Sequence, residues 1–183
     1  MEIRRIDGSA FELNSKKAKL IINAQELKPS KVRSLNPNIV LSAENPGSFS
    51  VVSPGEYESK ELWIMAFPSN MRENLLDVFV INAEEVRIAI LQKTVKSLSK
   101  DQIEKIGIID IVIADLSENS KELTTIISEI DPKILILSTS DKESLAQVVK
   151  DLGVKSQKEE KKLKVKMEDF SNEDYQLELI NLE

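Results

Sequence analysis

Short apolar runs separated by polar breaks dominate the first half of the chain. Phe11 and Leu13 alternate with polar neighbours, and residues 20–22 and 39–41 are brief apolar runs bounded by Asn, Ser or Pro. Residues 62–67 are rich in strand-forming side chains and stop at a proline. Runs of this length predict short β-strands joined by turns. We therefore expect a β-meander in this region.

Two further apolar runs predict an antiparallel hairpin. Residues 78–81 and 86–91 flank the turn-like segment 82–85. Two strand-like runs with a short polar connection of this kind form a hairpin when they pair directly.

From residue 99 onward, apolar runs of strand length alternate with segments that have helical spacing. Strands and helices in alternation, appended to a meander, predict a layered α/β protein with helices outside the sheets. The predicted elements are a helix at 101–106 capped by Ser99, a strand at 108–114, a helix at 117–130, a strand at 134–137, and a helix at 142–152 closed by Gly153.

The tail predicts a charged segment followed by one strand. Residues 155–166 are rich in Lys, but Glu159 and Glu160 interrupt them and no aromatic residue accompanies them. This composition favours a solvated, half-flexible segment over a nucleic-acid-binding surface. Partial alternation at 175–180 predicts a final edge strand.

The absence of Cys and His narrows the chemistry. The 183 residues contain no Cys and no His, so disulfides, a thiol nucleophile and Ser-His-Asp catalysis are excluded. Zinc sites are built chiefly from Cys and His, so the sequence disfavours a high-affinity zinc site and predicts no cofactor.

Composition favours one soluble domain without a polyanionic partner. The chain is 41% hydrophobic and 31% charged, with a formal net charge of −6, which opposes binding of nucleic acid. Its length fits a single domain over 1–183, with 156–183 as the charged segment and edge strand. No apolar run is long enough to cross a bilayer and no secretory signal is evident. These features predict a cytoplasmic protein that binds neither nucleic acid nor membrane.

Several segments, in order along the chain, resemble one known family. Residues 39–48 read Ile-Val-Leu-Ser-Ala-Glu-Asn-Pro-Gly-Ser, residues 54–58 read Pro-Gly-Glu-Tyr-Glu, and residues 88–93 read Ile-Ala-Ile-Leu-Gln-Lys. The opening 1–11 and the segments 67–71, 132–136 and 161–165 continue the likeness. The pattern is similar to the small metallo-β-lactamase-fold hydrolases related to the ascorbate-phosphate lactonases. The resemblance implies a four-layer αββα sandwich as a compact single domain.

The same resemblance implies that the metal site is degenerate. The family binds metal ions that generate hydroxide for hydrolysis, and the likeness indicates which positions of this chain match the metal-binding ones. None of these matching positions carries His, Cys or a carboxylate here. Asp7, Glu44, Glu56, Tyr57 and Lys93 are the predicted cleft residues. The degenerate positions are Gly8, Ala43, Asn45, Gly47, Ser48, Met71, Lys93 and Thr139.

Lys93 stands where the family has a metal-bridging Asp, and two placements remain open for it. Its ammonium group either points into the cleft and pairs with Glu44 or Asp7, or extends into water.

Three functions remain open at this point. The first is a non-catalytic scaffold, binding or oligomerisation module, either a homo-oligomer or a subunit beside a paralogue. The alternative is a hydrolase-like enzyme that uses Glu44, Glu56 and Asp115, with an oxygen-ligated cation such as Mg²⁺ in the old cleft. The third is binding of a small ligand without turnover, with Trp63 and Phe67 lining the cleft, although aromatic residues on apolar strands are more often core.

Overall fold

Two β-sheets form the centre of the computed structural model, which describes residues 1–70, 75–116, 120–139, 141–171 and 176–182. In the described residues the first sheet has the strand order β13-β1-β2-β3-β4-β5. Its strands are β1 Glu2–Asp7, β2 Ala10–Asn14, β3 Lys19–Ile22, β4 Ile39–Leu41, β5 Phe49–Val51 and β13 Leu163–Lys164. The β3–β4 and β4–β5 pairs are parallel, whereas the β13–β1, β1–β2 and β2–β3 pairs are antiparallel.

The second sheet has the order β12-β14-β11-β10-β9-β8-β7-β6 in the described residues. It is antiparallel from β6 to β9 and parallel from β9 to β12. Its strands are β6 Gly55–Ser59, β7 Leu62–Phe67, β8 Val78–Ala83, β9 Val86–Leu91, β10 Ile111–Asp115, β11 Ile134–Ser138, β12 Ser156–Glu160 and β14 Glu178–Leu182.

Helices cover the outer face of each sheet. The helices are α1 Pro29–Leu35, α2 Lys100–Ile106, α3 Ser120–Ile130 and α4 Lys142–Asp151, with 3-10 turns at Ala24–Glu26 and Met167–Phe170. Ile106 of α2 and Val148 of α4 pack on the second sheet, and Val32 of α1 packs on the first. The predicted αββα sandwich is confirmed. The helices of the second half lie outside the sheets as expected, and α1, in the first half, is a further outer helix that the sequence did not predict.

The strand β7 shows why the central apolar runs have little polar alternation. Leu62, Ile64 and Ala66 face the core between the sheets, whereas Met65 and Phe67 face the helices. Both faces of the sheet are buried, so a continuous apolar run is required.

The predicted hairpin and the capped helix are confirmed. The β8 and β9 strands pair antiparallel, from Val78 opposite Leu91 to Ala83 opposite Val86. Ser99 caps α2 through two reciprocal hydrogen bonds with Gln102. The Ser99 N–H donates to Gln102 Oε1 at 2.8 Å, and the Gln102 N–H donates to Ser99 Oγ at 3.2 Å.

Three sequence predictions for the second half need correction. Ile108 is 85% exposed, and the strand predicted from 108 begins at Ile111. The basic segment predicted to be half-flexible contains β12, which pairs in parallel with β14. The final strand is an interior strand between β11 and β12, not an edge.

Residues 117–119 and 175, predicted to begin a helix and a strand, lie outside the described residues. No described helix has the length and hydropathy that a membrane crossing needs.

Candidate functional site

The carboxyl ends of three parallel strands meet at one end of the sandwich. Leu91 of β9 and Leu137 of β11 both pair with Ala114 of β10, so the residues that follow them lie side by side. The first sheet contributes the β1–β2 turn and the exit of β4 to the same end. We call residues 7–9, 42–43, 92–93, 115–116 and 138–139 the cleft loops.

Arg5 connects the two sheets across the cleft loops. Its Nε donates to the Gly8 carbonyl at 2.5 Å and its Nη2 to the Ser138 hydroxyl at 3.3 Å. Ser138 in turn donates to the Gly8 carbonyl at 3.1 Å, and Arg5 Nη1 reaches the Leu182 carbonyl at 3.4 Å. Gly8, which the sequence resemblance predicts to be a degenerate metal position, is therefore part of a hydrogen-bonded link between the sheets.

Asp115 lies at the centre of the cleft loops. Burial raises the pKa of Asp115 above its ordinary value, and the nearby Glu26 adds to that effect. The Ser9 hydroxyl, which donates to the carboxylate, and the positive charges of Lys93 and Arg5 oppose it. Ser9 lies in the turn between β1 and β2 of the first sheet and Asp115 on β10 of the second, so Asp115 faces the first sheet across the cleft loops.

A second link between the sheets joins the exits of β4 and β9. Gln92 Nε2 donates to the Ser42 hydroxyl at 2.8 Å, and Ser42 has a left-handed backbone with φ of 65°. We call the two hydrogen bonds, Arg5 with Ser138 and Gln92 with Ser42, the cleft clasp.

The structure separates Asn45 and Ser48, two of the predicted degenerate positions, from the cleft. The chain after Ser42 turns back along β4, so that Phe49 pairs with Ile39 at the start of that strand. Asn45 is buried and its Nδ2 donates to the Ser48 hydroxyl at 2.7 Å, which donates to the Pro37 carbonyl at 2.8 Å. Pro37 precedes the end of β4 by four residues, roughly 13 Å in an extended chain.

The remaining degenerate positions are divided in the same way. Gly47 lies in the returning loop with φ of 88°, whereas Ala43 and Thr139 lie in the cleft loops. Met71 falls outside the residues that the structure describes.

Lys93 is in the cleft loops, and of the two placements left open for it the structure has the solvent-exposed one. The side chain is exposed, and among the described residues it forms no ion pair with Glu44, Asp7 or another carboxylate. Its charge acts instead on Asp115, whose pKa it lowers. Asp7 and Glu44 are themselves exposed.

Glu56 and Tyr57 lie on β6, the outermost strand of the second sheet and three strands from β9. Tyr57 donates its hydroxyl to the Ser53 carbonyl at 2.7 Å, and its ring meets Phe49 edge-on with the centroids 5.8 Å apart. Tyr57 thus joins the edges of the two sheets, which is a packing role.

Trp63 and Phe67 belong to the core under the helices and not to the cleft. The guanidinium of Arg87 lies over Trp63 at 5.8 Å, and the ammonium of Lys105 lies over Phe67 at 5.4 Å. The packing interpretation of these aromatic residues is the one that the structure supports.

The predicted metal positions in the cleft loops do not fit a zinc ion, and the carboxylates of these loops, Asp7 and Asp115, belong to no metal-binding group of three among the described residues. Gly8 and Ala43 supply no donor atom, Thr139 supplies a neutral oxygen, and Lys93 is a cation. Zinc takes Cys, His or carboxylate ligands. In the described ranges no three Asp, Glu, His or Cys side chains converge as a metal-binding group. We therefore derive no chemical step through a metal.

A second concave surface, which the sequence did not predict, lies at the opposite end of the sandwich. This groove of about 1360 Å³ includes Met1, Lys16, Trp63, Glu84 and Met167 among its lining residues. Its walls come from the chain's start, three hairpin turns and the tail, so no local sequence pattern could have indicated it.

Comparison with known proteins supports the fold and not a particular activity. No family model and no curated protein matches the chain. A candidate Zn-dependent hydrolase of the metallo-β-lactamase superfamily from Thermotoga maritima superimposes with a TM-score of 0.72 at 14% identity, over 100% of this chain and 99% of that one. A candidate metal-dependent hydrolase from Parabacteroides distasonis gives 0.61 at 9% identity, over 99% and 93%.

A third structure agrees with these two. The metallo-β-lactamase fold protein YhfI from Bacillus subtilis gives a TM-score of 0.59 at 10% identity, over 96% of this chain and 89% of that one. This chain has the metallo-β-lactamase fold, with two mixed sheets and flanking helices in a single domain that spans its whole length.

Proposed function

We propose that this chain is a non-catalytic protein of the metallo-β-lactamase fold, which acts as a scaffold, binding or oligomerisation module. The observation that carries the proposal is the cleft clasp. Metal ions held by ligands from both sheets would crosslink this end of the sandwich, and two hydrogen bonds between the chain's own side chains make that connection here. The fold can then persist without a metal.

The chemistry of the substituted positions supports the same proposal. A zinc-bound water supplies hydroxide near neutral pH, and hydrolysis in this fold depends on it. Asn45 Nδ2 donates to Ser48 Oγ, and Ser48 Oγ donates to the Pro37 carbonyl. Both residues lie in the loop that returns along β4, away from the cleft loops that hold Gly8 and Thr139. Lys93 and Arg5 place positive charge beside Asp115, which opposes a second cation there.

The alternative function is hydrolysis by carboxylates with an oxygen-ligated cation. Only Asp115 of its three candidate carboxylates belongs to the cleft loops, since Glu56 lies on β6 and Glu44 is exposed beyond Ala43. The raised pKa of Asp115 is the observation in favour of this alternative, because perturbed carboxylates cluster at catalytic sites.

Hydrolysis assays distinguish the two functions. We expect purified protein to hydrolyse lactone, phosphodiester and ester substrates no faster than buffer, with or without Zn²⁺, Mn²⁺ or Mg²⁺, whereas enzymes accelerate such reactions by at least about 10⁶-fold. Asp115→Asn and the exposed control Asp101→Asn should give the same baseline. A metal-dependent rate that Asp115→Asn abolishes and Asp101→Asn retains would overturn the proposal in favour of the enzyme.

A further inference from the structure

Lys93 and Asp115 place opposite charges near each other in the cleft loops. Lys93 lies just beyond β9, and Asp115 ends β10, the neighbouring parallel strand. The charge of Lys93 reaches Asp115 and lowers its pKa, yet the two side chains form no ion pair in the described part of the chain. An exposed ammonium and a half-buried carboxylate are therefore close without being in contact.

Both of these charges remain open to a ligand. Burial, which removes water from the carboxylate, is the largest effect on the pKa of Asp115, and a carboxylate shielded from water is stabilised by a donor that replaces the water. Arg5, the other cation that acts on Asp115, donates to two backbone carbonyls and to the Ser138 hydroxyl. Lys93 is exposed and has no such bonds among the described residues, so it is the cation that a ligand can reach.

A buried acceptor beside the cleft loops also lacks a donor. Asn23 is 5% exposed and lies just beyond β3, next to the turn that contains Ser9. Its Nδ2 donates to the Ser9 carbonyl at 2.9 Å, whereas its Oδ1 accepts no hydrogen bond among the described residues. A buried acceptor of this kind needs a donor that the described chain does not supply. This end of the sandwich therefore favours a ligand that carries hydrogen-bond donors.

The charges around Asp115 do not suit a ligand of a single sign. Glu26 is near enough to raise the pKa of Asp115, and Lys93 and Arg5 are near enough to lower it. A bare cation beside Asp115 would be repelled by Lys93 and Arg5, and a bare anion beside Lys93 would be repelled by Asp115 and Glu26. A ligand with both an ammonium and a carboxylate group avoids both repulsions, because each of its charges faces an opposite one.

We infer that the cleft loops bind a small zwitterion of the amino-acid type, with its carboxylate on Lys93 and its ammonium on Asp115. Charge-assisted hydrogen bonds of about 2.7 to 2.9 Å on each side would bridge two side chains that do not touch each other. The carboxyl ends of parallel strands are the edge at which α/β sheets take ligands. This inference rests on the proposed binding role and names the class of ligand for it.

Binding of amino acids tests the inference. Melting temperatures measured with each standard L-amino acid, β-alanine and γ-aminobutyrate should identify at least one that stabilises the protein, and calorimetric titration should show that it binds one to one. The same molecule without its amino group, or without its carboxylate, should bind at least about tenfold more weakly, because each analogue lacks one charge-assisted hydrogen bond. A panel in which nothing binds, or an analogue that binds as tightly as the amino acid, would overturn the inference.

Variants with matched controls locate the binding site. Lys93→Met and Asp115→Asn should each weaken binding of that amino acid at least about tenfold, and Lys93→Arg should retain it. Lys96→Met and Asp7→Asn remove exposed charges of the same signs and should bind like the wild type. Because Lys93 is exposed, Lys93→Met tests the site even if Asp115→Asn does not fold. Wild-type affinity in Lys93→Met, or an equal loss in the two controls, would contradict the proposed site.

Failure of this inference and failure of the proposed function have different readouts. Binding is measured without turnover, whereas the hydrolysis assays test the absence of catalysis. A protein that binds no amino acid and hydrolyses no substrate would overturn the inference alone. Metal-dependent hydrolysis by a protein that still binds an amino acid through Lys93 and Asp115 would overturn the proposed function alone.

Discussion

Replacing Arg4 with Met should lower the free energy of unfolding by about 2 to 3 kcal/mol at neutral pH. Glu12 is 1% exposed and accepts two bonds from Arg4, from Nε at 2.9 Å and from Nη2 at 3.0 Å. Without Arg4 the buried carboxylate keeps only Asn14 at 2.5 Å and Lys19 at 4.0 Å. Urea denaturation measures the loss, and Arg33→Met, at an exposed position of α1, is the matched control expected to change stability by less than about 0.5 kcal/mol.

The stability lost on replacing Arg4 should become smaller as the pH falls. Burial alone raises the pKa of Glu12, but the hydrogen bonds from Arg4 and Asn14 outweigh it and hold the pKa below its ordinary value of 4.5. A carboxyl group whose pKa is lower in the folded than in the unfolded protein stabilises the fold fully at a pH above its unfolded pKa. This stabilisation is lost as the pH falls through the pKa of the folded protein. The difference between wild type and Arg4→Met should therefore shrink below about pH 4. A difference that grows in acid would contradict this account.

Asp77→Ala should destabilise the protein by about 2 to 4 kcal/mol. Asp77 is 3% exposed and accepts three bonds, from the Ser69 amide and hydroxyl, both at 2.6 Å, and from the Thr94 hydroxyl at 3.1 Å. It therefore ties the loop after β7 to the loop after β9, beside Lys93. The variant leaves the half-buried Ser69 amide without its acceptor, and a donor shielded from water without a partner lowers the stability.

Two measurements check the role of Asp77. Denaturation gives the loss of stability, and hydrogen exchange should show faster exchange of the Ser69 amide. Asp7→Ala is the matched control, because Asp7 is exposed in a cleft loop and its removal should cost less than about 0.5 kcal/mol. Equal losses at Asp7 and Asp77 would show that the hydrogen bonds of Asp77 do not hold these loops.

The apolar pattern predicted the central strands because both sheets need side chains that suit buried faces. Leu62 to Phe67 became β7 without any change of bounds. The apolar pattern missed elements that contribute few buried apolar side chains. The β12 strand has five exposed residues and exists because β14 offers a hydrogen-bonding edge. The α1 helix has seven residues with Val32 as its buried residue, which is too little for a helical period.

The candidate site was less predictable than the fold. Family positions could be matched along the chain, but the direction of a loop depends on tertiary packing. The chain after Ser42 returns along β4, and this return takes Asn45 and Ser48 away from the cleft. Arg5, the residue that links Gly8 and Ser138, was not singled out, because an isolated arginine near the start of a chain carries no sequence signal for a contact 133 positions away.

Zinc binding by the purified protein tests the central claim most directly. We predict less than about one tenth of an equivalent of zinc by elemental analysis, and a melting temperature that neither added zinc nor a chelator changes, because a ligand stabilises a fold only when it binds the folded state preferentially. Stoichiometric zinc, or a melting temperature that rises with added zinc and falls with chelator, would contradict the account.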